Sequence, residues 1–358
     1  MNNRNAWGIA LLAALLGCAG CSPTLPRPGT LPATATAAPH AVSPAEGSGP
    51  FLYVGGLKLA MYALGSSKPL HVATANPYTV YKAAIALDLH GHLCEANGEI
   101  SYAQLFAYDS DTLKFVKGRT GVGAFPSLVS DRLGYIYAST GGAGIVVYAQ
   151  GCTHQVNKIR HDANNSTPLV FDRSGNLYSG NTSPFDSVSI YAPTNQPGHM
   201  KFVRLIDDGS YSPTALAIGP SGDLFVANNN GKGPGYISVY KPGGSKPVLT
   251  ITKDIDIPWA IAVDSKGRLY VASNPHYAGA APPGAGWISV YAPGGSQPLR
   301  KVPVFNPLAL AIDPSDNLYV ANPGNHSSVL VYSPGAAKLL RTITDGLSFP
   351  SALFIGSP

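Results

Sequence analysis

One five-residue pattern recurs seven times along this chain of 358 residues, and that periodicity constrains the fold more than any other feature. The copies lie at 84–88 (AIALD), 127–131 (SLVSD), 168–172 (PLVFD), 215–219 (ALAIG), 260–264 (AIAVD), 309–313 (ALAID) and 352–356 (ALFIG), at steps of 41 to 49 residues. After each of the first six come a tight turn and a strand-like segment: LYVAN at 318–322, with counterparts at 93–97, 136–140, 177–181, 224–228 and 269–273. A further copy, at 52–56, opens the folded region. A third apolar segment then ends in Tyr62, Tyr108, Tyr148, Tyr191, Tyr240, Tyr291 or Tyr332. Pro/Gly turns follow most of these, and then a fourth apolar stretch such as 248–252.

Four short strands per period of this length read as one blade of a β-propeller. Turn chemistry agrees. Asp264-Ser265-Lys266-Gly267 and Asp172-Arg173-Ser174-Gly175 put Asp first, to cap the turn, and Gly last, to take the left-handed backbone. Glycine (40) and proline (32) together make about a fifth of the chain, against roughly an eighth in ordinary proteins, which excludes a helical bundle or helical solenoid. The number of blades follows from the ends. Residues 51–83 supply strands two to four of a blade but no first strand; 351–358 supply a first strand and nothing more. Joined, they complete a ring of seven four-stranded antiparallel blades, closed by the C-terminal strand, with no open sheet edge at the seam.

The segments 309–313 (ALAID), 317–322 (NLYVAN) and 329–332 (VLVY) resemble the NHL repeat, and the resemblance covers residues 51–358. It implies the propeller fold and leaves the function open. NHL repeats carry an Arg just before the third strand; here that place holds Ser328, Ser187 or Gly144. RNA-binding members rely on a basic face, whereas a formal net charge of +5 with 12% charged residues is no such surface. No nucleic-acid partner is expected.

The first seventeen residues stand outside the fold. A single charge, Arg4, precedes an apolar run from Ala6 to Leu16, too short to span a bilayer and fitted to a signal-peptide core. Its end, Leu15-Leu16-Gly17-Cys18, resembles the bacterial lipoprotein lipobox, which implies lipidation at Cys18; Cys21 is the weaker alternative. A tether of 18–50, rich in Pro, Ala and Thr, has nothing to bury and stands the domain of 51–358 off the membrane. The expected location is the bacterial cell envelope, outside the cytoplasm.

Chemistry is sparse. There is no G-x-S-x-G and no phosphate-binding loop. Related propeller enzymes, lactonases of the gluconolactonase type and the streptogramin lyase, hold a metal at the channel mouth, which implies ligands just before each inner strand. Those places hold Ala83, Pro126, Thr167, Thr214, Trp259, Leu308 and Ser351, none of them a metal ligand. Acids lie further out on that face: Glu99, Asp162, Asp186, Asp208, Asp254 and Asp256. His90, His92 and Cys94 alternate, but they read as a solvated turn and a buried thiol rather than a zinc site. Cys94 and Cys152 fall on adjacent blades, and an exported protein permits a disulfide, yet sequence does not place them within reach. The tyrosine row reads as packing between blades. The asparagine row (Asn97, Asn181, Asn228, Asn322) reads chiefly as turn chemistry, with some ligand contact. The loop of 273–286 breaks the repeat by its length and carries His276 and Tyr277, with Trp287 at its border and Trp259 at the start of the same blade.

These readings give a lipid-anchored seven-bladed propeller acting as a binding or interaction module, expected as a monomer without cofactor or metal. Its partner would be a small molecule, a glycan or an envelope protein, and the candidate ligand-binding residues are Trp259, His276, Tyr277, Asn228 and Asn322. The alternative is a metal-dependent lyase or lactonase with its site at the channel mouth. Whether the chain is an enzyme stays open, with binding favoured.

Overall fold

A computed structural model describes residues 49–74, 83–99, 102–120, 127–140, 144–161, 163, 166–182, 184–207, 212–229, 234–275, 286–324 and 327–357. They form seven four-stranded antiparallel sheets. In blade one the C-terminal strand Ala352–Gly356 pairs with Phe51–Gly55, which pairs with Lys58–Ala63 and then His71–Thr74. Each residue of Phe51–Gly55 has a partner on the closing strand, from Phe51 opposite Gly356 to Gly55 opposite Ala352. Blade two begins at Ala83–Leu87, three at Leu128–Ser130, four at Ser166–Phe171, five at Pro213–Ile218, six at Pro258–Val263 and seven at Ala309–Ile312. These inner strands touch in ring order, and Ala309–Ile312 and Ala83–Leu87 both touch the closing strand Ala352–Gly356. The ring is therefore closed by chain ends that share one sheet.

Burial follows strand position. Second strands such as Leu269–Ser273 are buried throughout, because both faces meet neighbouring blades. Fourth strands such as Met200–Ile206 alternate with solvent, as an outer edge should. The apolar side chains form seven clusters, one at each junction between blades. Leu52, Val54, Ala60 and Tyr62 of blade one meet Tyr319, Val329, Val331 and Ile343 of blade seven, so the seam is packed like every other junction.

The third-strand tyrosines do pack between sheets, and several add a polar tie. Tyr62, Tyr191 and Tyr291 donate to the carbonyls of Asp345 (2.5 Å), His161 (2.8 Å) and Lys253 (2.5 Å), each on the link leaving the preceding blade. A proline also precedes or opens most inner strands, as at Pro213, Pro258, Pro307 and Pro350. It lacks an N–H, and at Pro213 and Pro258 the pairing register shifts just after it.

Candidate functional site

Antiparallel order puts the links between blades, and the loops after the second strands, on one face of the disc, and the inner-strand turns on the other. On the link face, Trp259 is partly buried in Pro258–Val263, beside the register shift between Pro258 and Ala260. The Thr214 hydroxyl of blade five donates to the Pro258 carbonyl at 2.5 Å, fixing the backbone beside it. Asn228 is fully buried, and its amide donates to Ser238 Oγ at 3.1 Å and the Val226 carbonyl at 3.2 Å. Asn322 donates to Ser328 Oγ at 3.2 Å, and Asn181 to Ser187 Oγ and Ser189 Oγ at 3.0 and 2.8 Å. The row thus ties second strands to serines on third strands. Ser328 and Ser187, the first residues of their third strands, are the partners in two of these ties. His276 and Tyr277 lie outside the described residues, as do Asp162 and Asp208.

Trp287 anchors the link into blade six: its indole N–H donates to the Asp254 carbonyl at 2.9 Å. Lys301 Nζ lies 3.9 Å from the centre of that ring and 3.7 Å from Asp254 Oδ1. Burial pushes the nearby Asp256 carboxyl up, against the pull of the Lys301 charge.

The turn face is ordered by a repeated aspartate. In blade four, Asp172 Oδ1 accepts the backbone N–H groups of Ser174 (2.8 Å) and Asn176 (2.9 Å), while Oδ2 accepts Asn176 Nδ2 (2.8 Å) and the Tyr178 hydroxyl (3.3 Å). Asp313 repeats this with Ser315, Asn317 and Tyr319. Asp264 does so with Lys266, Arg268 and Tyr270, its Oδ2 lying 2.5 Å from Arg268 Nε. Asp as a turn cap was legible in sequence; the tyrosine six residues later, which completes the carboxylate, was not.

His90, His92 and Cys94 do not gather as a cation site. His92 Nδ1 lies 3.0 Å from Asp88 Oδ2, and Cys94 is bonded to Cys152 across blades two and three. Among the described residues, no three His, Cys, Asp or Glu side chains cluster as metal ligands.

A cavity of about 310 Å³ opens on the turn face between blades four, five and six. Phe171, Ile218, Pro220 and Val263 give it apolar walls, and Asp172, Arg173, Gly219, Asp264 and Ser265 stand at its rim. Sequence alone does not single out this place, although Gly219 marks it: it opens the one chain-continuous turn whose first residue is not Asp.

No family profile and no curated protein sequence matches the chain. Solved structures do. A functionally unknown protein from Desulfotomaculum acetoxidans DSM 771 matches with TM-score 0.64 and 13% identity, over 86% of this chain and 99% of that one. A "putative 6-phosphogluconolactonase" from Bacteroides uniformis ATCC 8492 matches with TM-score 0.64 and 14% identity, over 87% and 100%. A chain of the Mitotic Checkpoint Complex matches with TM-score 0.62 and 12% identity, over 92% and 96%. At such identities the likeness is one of fold: the chain is a seven-bladed β-propeller.

Proposed function

We propose that this chain is an exported, lipid-anchored propeller of the NHL-repeat type, serving as a non-catalytic binding or interaction module in the cell envelope. The observation that carries the binding role is Trp259, partly buried at the link-face end of the inner strand of blade six, where the other blades place smaller side chains. On the opposite face Asp172, Asp264 and Asp313 each accept four hydrogen bonds from their own turn and strand, so these carboxylates serve the fold. Export is supported by the lipobox-like run ending at Cys18 and by the Cys94–Cys152 disulfide, a bond that persists in oxidising compartments. Trp259 is a flat surface for a sugar or aromatic group, and His276 and Tyr277, in the long loop of the same blade, are the further candidate contacts.

The lactonase or lyase reading rests on likeness of fold, including that to the Bacteroides uniformis protein. One set of measurements separates the two. The mature domain is titrated with envelope glycans and small aromatic ligands by calorimetry and tryptophan fluorescence, and assayed on lactones with and without divalent cations. Saturable binding without turnover, weakened in Trp259→Ala, is expected; cation-dependent ring opening would overturn the module reading. For the anchor, Cys18→Ser should release the protein from membranes, and an unmodified mature terminus beginning after residue 21 would refute lipidation.

A further inference from the structure

The geometry points to the turn-face cavity under blade five as a binding site for a small, largely apolar molecule bearing one anionic group. This rests on the binding-module reading but places its ligand at the opposite end of the disc from Trp259. The cavity exists where the repeat is broken. Blades four, six and seven fill this level with an aspartate and a tyrosine six residues on; blade five has Gly219 and Phe225 instead. With neither carboxylate nor phenol there, the space between Phe171, Ile218 and Val263 stays open to solvent. About 310 Å³ lies at the lower end of the range that ligand pockets occupy, roughly 300–1,000 Å³.

The polar rim selects the ligand's charge. Asp172 and Asp264 line the cavity, but four donors occupy each carboxylate, and Arg268 balances Asp264. Ser265 is engaged as well: its N–H and hydroxyl donate to Asp316 at 2.9 and 2.7 Å. Asp223, on the turn of blade five, is paired with Lys241 at 3.0 Å. The cation at the rim is different. Arg173 is exposed and lines the cavity, and its own turn is held in place because Arg132 of blade three donates to the Arg173 carbonyl. Among the described residues no acceptor engages its guanidinium, whose donors suit a carboxylate, sulfonate or phosphate. Exposed Arg132 and Lys266 on flanking turns add the same sign of charge, which favours an anion's approach.

Two dyes test this on the folded mature protein: 8-anilinonaphthalene-1-sulfonate and its neutral relative N-phenyl-1-naphthylamine, titrated by fluorescence and calorimetry. The sulfonate should bind at one saturable site, more tightly than the neutral dye. Arg173→Gln should weaken the sulfonate about tenfold and leave the neutral dye unchanged, with Arg173→Lys recovering part of the loss. Gly219→Asp restores the residue of the other blades at a backbone φ outside the left-handed region; its Cβ would meet the Phe225 ring at 3.0 Å and Val263 at 3.6 Å, contacts that a ring tilt relieves. It should abolish both dyes while the melting temperature stays at or above that of the parent. Equal affinity for the two dyes, or sulfonate binding indifferent to both substitutions, would overturn the cavity assignment. Binding lost instead in Trp259→Ala would overturn the cavity and leave the module reading standing.

Discussion

Blades two and six meet the same packing problem with different chemistry. In both, a buried aspartate ends the inner strand, and its Oδ1 takes the backbone N–H groups two and four residues on: His90 and His92 for Asp88, Lys266 and Arg268 for Asp264. They part at Oδ2. In blade six it meets Arg268 Nε and the Tyr270 hydroxyl, and that hydroxyl accepts the Gly335 N–H of blade seven at 2.8 Å. In blade two the tyrosine's place holds Cys94. With no phenol between, the Gly151 N–H of blade three reaches Asp88 Oδ2 directly at 2.6 Å, and Cys94 is bonded to Cys152. Gly151 and Gly335 play one role: each sits in a short 3-10 turn after a third strand, with φ of 64° and 74° that an L-residue rarely adopts. A large side chain lets two blades meet through a polar relay; a small one draws the next turn in, and a covalent bond takes over. The junctions thus depend on filling one level between turns, with the chemistry free to vary.

The largest loss is expected at Asp264. Asp264→Ala removes the acceptor for two backbone N–H groups, a phenol and a guanidinium, and leaves Arg268 partly buried without its partner, so chemical denaturation should report a loss of about 3–5 kcal/mol. Asp88→Ala should fall short of that loss while the disulfide is intact and approach it under reductant. Removing only the bond between blades two and three, as Cys94→Ser with Cys152→Ser, should lower stability by about 2–4 kcal/mol; a reductant should shift the parent's unfolding midpoint and leave that variant's unchanged. Tyr270→Phe should lose about 1–2 kcal/mol, because the Gly335 N–H and Asp264 Oδ2 each lose a partner.

The smallest effects are in pH. Burial holds the Tyr270 hydroxyl up at about 12, so folding favours its protonated form. Its contribution is whole below about pH 10 and fades as pH climbs from there towards the folded value. Tyr270→Phe should flatten that part of the alkaline limb. Asp316 moves the other way. Burial raises its carboxyl, but the Ser265 N–H and hydroxyl and the Arg268 charge outweigh this and hold it below the ordinary range. Its stabilisation is present above about pH 4 and lost as pH falls through the lower folded value, so Asp316→Asn should flatten the acid limb. Midpoints measured across both limbs check the two signs.

Much of the architecture was legible because its causes are local. Alternating apolar residues define strands, an Asp-x-x-Gly turn joins them, and the split between residues 51–83 and the terminal strand Ala352–Gly356 states the ring closure outright. The asparagine row was partly legible: its position at strand ends could be read, but its serine partners on the third strand depend on register. The cavity was written as a missing Asp at Gly219, yet a missing residue has meaning only once its neighbours are seen to converge. By itself, then, the sequence determined seven blades, their order and their closing strand, since each follows from residues adjacent in the chain or from its ends. Tertiary structure alone decided that Cys94 meets Cys152, that Gly335 reaches Tyr270, and that Phe171, Ile218 and Val263 wall one cavity. The physical reason is that these contacts cross between blades, where the twist of each sheet and its packing angle on the next set which turns come within reach.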